Sequence, residues 1–248
     1  MKSVLICEGQ TDATLLQYYL RKALQWNDVK DRQKQNHAIK SGTGSSRLLE
    51  KNGNELTITA SGGSSKIPET MRLVLERIRA ASASLEEIYD RIVIITDRDD
   101  KLAETNMICQ IKSCLAEVNA AIDLRGQQWC SCSIETKLGF TVPIEVLVLV
   151  IPYEGEGAIE TFLLNAIAAA SPYDKQIIDE CVRLVENVDP EKRYLVKRRD
   201  IVKAKYDVYF SIRTPVNQFA ERQKMLYDIP WEQYDKINDG FQQLAELG

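Results

Sequence analysis

The chain has 248 residues, 44% apolar and 27% charged, and a net charge of −4 from 32 basic and 36 acidic side chains. That length accommodates one large domain or two small ones with a full core, and the acidic balance excludes a protein coated in basic charge while allowing a local basic patch. Residues 1–20 lack the basic start, long apolar core and cleavage site of a signal peptide, no apolar run reaches the roughly 18 residues that span a bilayer, and six cysteines follow no scaffold pattern, so a cytoplasmic, non-membrane protein with reduced thiols is expected.

Residues 3–7 read as a strand, an apolar run too short for a helix and rich in β-branched side chains. The run ends abruptly in Glu8-Gly9. A helix follows over 11–24, with Leu15, Leu16, Tyr19, Leu20 and Ala23 on one face, capped by Thr11 or Asp12. Residues 26–46 are polar, close on Ser41-Gly-Thr-Gly-Ser-Ser46 and read as a loop. They lack the preceding strand and the G-K-[ST] ending of a phosphate loop. Residues 55–60 alternate as a second strand, Ser61-Gly-Gly-Ser-Ser65 turns tightly, and a helix over 68–82 starts near its proline. A third strand, 91–96, runs into Asp97-Arg98-Asp99-Asp100, and a long helix spans 101–121. Strands at 129–134 and 144–151 form a hairpin through Lys137-Leu-Gly139. The Cys130-Ser131-Cys132 pair lies on the first of them, but with His37 the sole histidine a zinc site is not expected. Beyond Pro152 helices are expected at 158–169, 175–185, 200–210, 216–227 and 232–247.

Strand and helix thus alternate through residue 125. The pattern predicts an α/β fold over residues 1–152, a mostly parallel sheet with helices on both faces. Residues 153–248 form a C-terminal helical extension packed on it.

The chemistry lies at two strand ends. Active sites of open α/β sheets sit at the carboxyl ends of parallel strands. In Asp97-Arg98-Asp99, period-two geometry sets Asp97 and Asp99 on one side. Side-by-side carboxylates repel unless a cation or a proton lies between them, and magnesium, with its preference for a few hard oxygens, resolves this. Glu8 ends the first strand in an equivalent position. Asp12, in the first turn of the next helix, is either a cap or a metal-supporting residue.

Glu8-Gly-Gln-Thr-Asp12 and Asp97-Arg-Asp99, with the glycine pair Gly62-Gly63 after strand two, resemble the signature of the Toprim family, the catalytic domain of topoisomerases, bacterial primases and overcoming-lysogenization-defect (OLD) nucleases. The resemblance covers roughly residues 1–125. Pro152-Tyr-Glu-Gly-Glu-Gly-Ala-Ile-Glu160 looks like the OLD-type extension, which adds an acidic residue at a helix start; Glu160 fits best, ahead of Glu154 and Glu156. Residues 192–205 hold seven lysines and arginines in fourteen positions. OLD-like proteins carry a late lysine in such a helix, here Lys203 or Lys205, and otherwise the run is a solvated face. The chain lacks a G-x-x-x-x-G-K-[ST] motif, and so looks like a stand-alone OLD-like Toprim protein with a separate ATPase as a potential partner.

The resemblance implies a nuclease dependent on Mg2+ or Mn2+. Glu8, Asp97, Asp99 and Glu160, supported by Asp12, would hold the metal; Lys203 or Lys205 would neutralise phosphate charge; Arg198 and Arg199 would bind DNA or RNA. No tyrosine is marked as a nucleophile, so water is expected to attack. Two other classes fit less of the sequence. A haloacid-dehalogenase-like phosphohydrolase would use Asp97-Arg-Asp99 but leave Glu8 and Asp12 unexplained. A non-catalytic Toprim-fold module would bind nucleic acid or an ATPase without cleaving.

Overall fold

The computed structural model describes residues 1–30, 46–81, 88–214, 226 and 229–248. Among these, seven strands form one sheet: β1 (Lys2–Cys7), β2 (Asn27–Asp28), β3 (Ser46–Lys51), β4 (Asn54–Ala60), β5 (Arg91–Asp97), β6 (Cys130–Glu135) and β7 (Thr141–Ile151), in the order β2-β3-β4-β1-β5-β7-β6. β1 runs parallel to both neighbours, with Val4 opposite Thr57 on β4 and Ile92 on β5. β7 follows β5 in the same direction, because the Glu145 N–H bonds the Asp90 carbonyl and the Arg98 N–H bonds the Ile151 carbonyl farther along both chains. The centre of the sheet is therefore parallel and its flanks antiparallel.

The helices, in chain order, are α1 (Gln10–Ala23), α2 (Ile67–Ala80), α3 (Ala103–Ala116), α4 (Ile159–Ala170), α5 (Pro172–Asn187), α6 (Arg198–Arg213) and α7 (Asp235–Gly240). On one face Val4, Ile6, Ile92 and Ile94 pack with Met71, Val74, Leu75 and Ile78 of α2 and Ile111 and Leu115 of α3. These side chains are almost wholly buried, each worth about 1.5–3 kcal/mol of transfer free energy. Side chains alternate, so Leu5, Ile58 and Arg47, which share a rung, point to the other face. There the Arg47 guanidinium donates to Thr14 Oγ1 at 2.9 Å and to Gln17 Oε1, both on α1. Helices thus cover both faces of this part of the sheet.

Several boundaries differ from expectation. Asn27–Asp28 and Ser46–Lys51 are strands where a loop or nothing was expected. The signal for β3 is Asn52-Gly53, both at positive φ (51° and 80°), the backbone of a two-residue type I′ hairpin. Helix α3 stops at Ala116 rather than 121. Asn119 takes φ 59°, its N–H bonds the Ala116 carbonyl and the Ala120 N–H bonds the Leu115 carbonyl, a Schellman ending. The single helix expected over 232–247 is three pieces: a 3-10 turn at Trp231–Gln233, α7, and a 3-10 segment at Gln242–Leu247. It breaks after Gly240, where a Cβ would lie 2.5 Å from the Phe162 ring. The expected helix at 216–227, apart from Leu226, and the polar stretch 31–45 with His37 lie outside the described residues.

The chain divides into two compact units. The first comprises Met1–Asp97, Lys101–Val150 and Gln243–Gly248, the second Arg98–Asp100 and Ile151–Gln242. Within the first, the tail is tied to the sheet: Lys51 Nζ donates to the Gly248 carbonyl at 2.7 Å, Gln243 Nε2 to the Gln127 carbonyl at 3.2 Å, and the Arg91 guanidinium to the Glu246 carbonyl. Within the second, the Arg98 carbonyl accepts the Gly157 N–H at 2.9 Å, which joins the short segment after β5 to the chain after β7. Its helices bury Phe162, Leu163 and Ile167 of α4, Ile178, Cys181 and Val185 of α5, and Tyr206, Tyr209 and Phe210 of α6. Ser171 caps α5 by accepting the Asp174 N–H at 3.1 Å. No helix among the described residues is long and apolar enough to cross a membrane.

Candidate carboxylate site at the strand ends

Because β1 and β5 are parallel neighbours, Glu8 and Asp97 end at the same edge of the sheet. The Glu8 carboxylate reaches across: Oε1 accepts the Asp97 backbone N–H at 2.9 Å and the Thr96 hydroxyl. The Glu8 main chain is held from the other side. Its carbonyl accepts the N–H groups of Gly62 and Gly63 at 2.8 and 2.9 Å. Those glycines take φ +84° and +130°, a region that side chains with a Cβ disfavour, and this lets the turn after β4 fold over the end of β1. Asp12 Oδ2 accepts the Gly9 N–H at 2.8 Å. Asp12 thus fixes the turn between Glu8 and α1, as a capping residue does.

The electrostatic centre of the arrangement is Cys7. Burial pushes its thiol well above the ordinary value; the negative fields of Asp12 and Glu8 add to that, Arg47 opposes it, and Asp97 adds a smaller increment. The negative charge of three of the expected site carboxylates is thus felt at one buried thiol. Among the described residues, no three His, Cys, Asp or Glu side chains sit close enough together to enclose an ion by themselves. The positive field of Arg47 acts on the same thiol, and burial lowers the pKa of Arg47 itself.

Thr96 and Arg47 were not marked by the sequence. Thr96 is a hydroxyl residue closing an apolar strand just before Asp97, which is a usable signal. Arg47 is legible only once β3 is recognised.

The remaining expected residues belong to the second unit. Asp99 is exposed. Glu160 is 4% exposed in the first turn of α4, where the helix dipole favours a carboxylate. Glu154 and Glu156 are exposed. The Arg198 guanidinium lies 3.8 Å from the Glu156 carboxylate and 3.5 Å from the Arg98 carbonyl, so the start of α6 adjoins the backbone beside Asp99. Arg199 is exposed and lies 3.6 Å from Asp200. Two residues apart on a helix, Lys203 and Lys205 face different ways. Lys205 pairs with Glu186 at 2.6 Å, whereas Lys203 is exposed.

Among solved structures, the chain is similar to the hypothetical protein PH0156 from Pyrococcus horikoshii OT3, with 16% identity, 99% of this chain and 91% of that one covered, and a TM-score of 0.50. That likeness concerns the fold alone. Lactoylglutathione lyase from Agrobacterium tumefaciens (11% identity, 59% and 92% covered, TM-score 0.18) and the glyoxylase/bleomycin resistance protein/dioxygenase domain from Frankia sp. EAN1pec (10% identity, 58% and 88% covered, TM-score 0.18) overlap too poorly to inform it. No curated protein matches the sequence. Residues 2–244 match the family described as "Protein of unknown function (DUF3226)", and the chain belongs to that family.

Proposed function

We propose that the chain is a divalent-metal-dependent nuclease of the Toprim type, which cleaves phosphodiester bonds with magnesium or manganese. The observation that carries this reading is the convergence of Glu8 and Asp97 at the carboxyl ends of adjacent parallel strands, with the Glu8 carboxylate bonded to the Asp97 backbone.

The donor set fits magnesium. This ion dehydrates reluctantly and is commonly held by one or two carboxylates together with water and substrate phosphates, rather than by an all-protein cage. A pair of carboxylates at a sheet edge is enough, and the lack of a closed three-residue group among the described residues is compatible with it. When bound, the metal supplies an activated water and stabilises the leaving oxygen.

The chain's own residues do the rest. Glu8 and Asp97 hold the ion. Thr96 and the Asp97 N–H fix the Glu8 carboxylate, and Gly62 and Gly63 fix its backbone. Asp12 anchors the turn rather than serving as a principal ligand. Asp99 and Glu160, the other acidic candidates, lie in the second unit. Substrate phosphates are assigned to Arg198, Arg199 and Lys203. Lys203 is chosen over Lys205 because Lys205 is engaged by Glu186.

The test is cleavage of labelled DNA and RNA with Mg2+ or Mn2+ by the wild type, Glu8→Gln and Asp97→Asn. The expected result is metal-dependent cleavage lost in both variants while both stay folded. Wild-type rates in Glu8→Gln would overturn the proposal.

A further inference from the structure

Between α5 and α6 the chain makes a loop whose backbone is tied from within. The Asp189 carboxylate accepts three consecutive N–H groups, from Arg193 at 3.0 Å and from Tyr194 and Leu195 at 2.8 Å each. The Asp189 carbonyl accepts the Lys192 N–H at 3.0 Å, and Lys192 takes φ +51° to close the turn.

A loop held this way presents its side chains in a set direction, and it presents them outward. Tyr194 is 73% exposed and Val196 63%. Exposed tyrosine rings forgo the burial that usually accompanies so large a side chain. The ring contact recorded for Tyr194 is with its neighbour Arg193, whose guanidinium lies 5.4 Å from the ring centroid. Along the sequence on either side of this residue, positions 192–199 carry five cations, Lys192, Arg193, Lys197, Arg198 and Arg199, on a chain whose net charge is −4. No acid lies within 192–199 itself; Arg198 and Arg199 lie 3.8 and 3.6 Å from Glu156 and Asp200, while Lys192, Arg193 and Lys197 carry the charge nearest the ring in sequence. Arg198 sets the position of the loop within its unit, beside the Arg98 backbone that precedes Asp99.

A cationic track with an aromatic face at its centre matches one ligand chemistry well. Single strands are bound without sequence preference by phosphate contacts combined with base–aromatic stacking, and arginine adds cation–π attraction. In a duplex the base faces are already stacked on one another and offer nothing to an exposed ring. We infer that residues 192–199 are a binding site for single-stranded nucleic acid, in which Tyr194 stacks on a base and Lys192, Arg193 and Lys197 contact phosphates. The inference rests on the nuclease reading above and narrows its substrate to single strands.

The test separates binding from cleavage. Fluorescence anisotropy in EDTA would compare a labelled single strand of about 15 nucleotides, near the upper end of what one such module covers, with a duplex of the same length. The wild type should bind the single strand more tightly. Tyr194→Ala should weaken that binding by about 5- to 150-fold, the range for losing one stacked base. Tyr194→Phe should bind within about twofold of wild type, since the face and not the hydroxyl is used. Arg193→Gln should flatten the salt dependence by about 0.7 in log–log slope, the value for one phosphate contact on a single strand; Tyr194→Ala should leave that slope unchanged. Tyr194 is exposed, and a thermal melt of each variant checks that the fold survives. Equal affinity for strand and duplex, no binding at all, or an unaltered Tyr194→Ala would overturn the inference. Cleavage is measured apart, with Mn2+ added. If Tyr194-dependent binding occurs without cleavage, the inference stands and the nuclease proposal falls. If cleavage occurs and Tyr194→Ala binds as wild type does, the nuclease proposal stands and the inference falls.

Discussion

Glu8 and Asp97, 89 positions apart in the chain, meet through a 2.9 Å hydrogen bond from the Asp97 backbone N–H to the Glu8 carboxylate. The donor is main chain, so the contact aligns two strand ends without neutralising either acidic side chain. Two like charges at one sheet edge favour a bound cation.

That relationship gives the first prediction. Mg2+ or Mn2+ should raise the melting temperature of the wild type, because a ligand that binds only the folded state stabilises it by mass action. At 100 times Kd the gain is about 2.7 kcal/mol, roughly 5–10 °C for a chain of this size. Asp97→Asn should abolish the shift in a thermal melt with and without metal. An equal shift in both proteins would place the metal elsewhere.

Replacing Glu8 separates charge from scaffold. Glu8→Gln keeps an oxygen for the Thr96 hydroxyl and the Asp97 N–H, but neutral bonds are weaker than charged ones, so unfolding in denaturant should show a loss of about 1 kcal/mol. Glu8→Ala leaves both donors without that acceptor and should cost about 1–3 kcal/mol. No measurable loss in either variant would mean that the carboxylate does not organise this edge.

The glycine turn allows a control. At Gly63, φ is +130° and an added Cβ meets nothing within 4 Å, so Gly63→Ala is strained through its backbone and not by crowding. A cost of about 1–3 kcal/mol is expected. Gly53→Ala, at φ +80° in the β3–β4 hairpin and equally uncrowded, should cost a similar amount. Only Gly63→Ala should also shrink the metal-induced melting shift, since the Gly63 N–H bonds the Glu8 carbonyl.

The two late lysines should behave differently. Lys205→Met breaks a pair with Glu186 whose side chains are 23% and 55% exposed, and should lower stability by less than about 1 kcal/mol with turnover unchanged. Lys203→Met should leave stability unchanged and lower the single-turnover rate more than substrate affinity, because a charge that stabilises the transition state acts on turnover. The reverse assignment of effects would transfer the role to Lys205.

The loop after α5 should respond to acid. N–H bonds from Leu195, Tyr194 and Arg193 hold the Asp189 carboxyl below the usual aspartate value. A folded pKa that is lowered contributes stability that is fully present above the unfolded value and is lost as pH falls through the folded one. Amide exchange at Tyr194 and Leu195, corrected for intrinsic rate, should therefore stay slow from neutral pH down to the ordinary aspartate range and quicken below it. Asp189→Asn should remove this pH dependence.

Much of the fold is legible along the chain. The short β-branched runs at Val4–Ile6 and Ile92–Ile95 can be satisfied only by burial on both faces, which requires a parallel sheet under helices, and their abrupt carboxylate endings mark the edge where Glu8 and Asp97 lie. Local signals also foretell the hairpin through Gly139 and the turn at Gly62-Gly63. Asn52-Gly53 was equally available for β3, but its flanking strand buries just Leu48 and Leu49, too weak an alternation to stand out.

The sequence by itself determined the strand–helix alternation, the acidic strand ends and the basic run at 192–205, because each depends on residue types at short spacing. Tertiary structure alone decided the partners. It set Thr96 and the Asp97 N–H on Glu8, brought Arg47 into the field of Cys7, engaged Lys205 with Glu186, and returned Gln243–Gly248 to the sheet unit. The physical reason is range. Helical and strand periodicity act over a few residues, whereas these contacts join segments tens of residues or more apart in most cases, brought together only when strand order and helix packing are established.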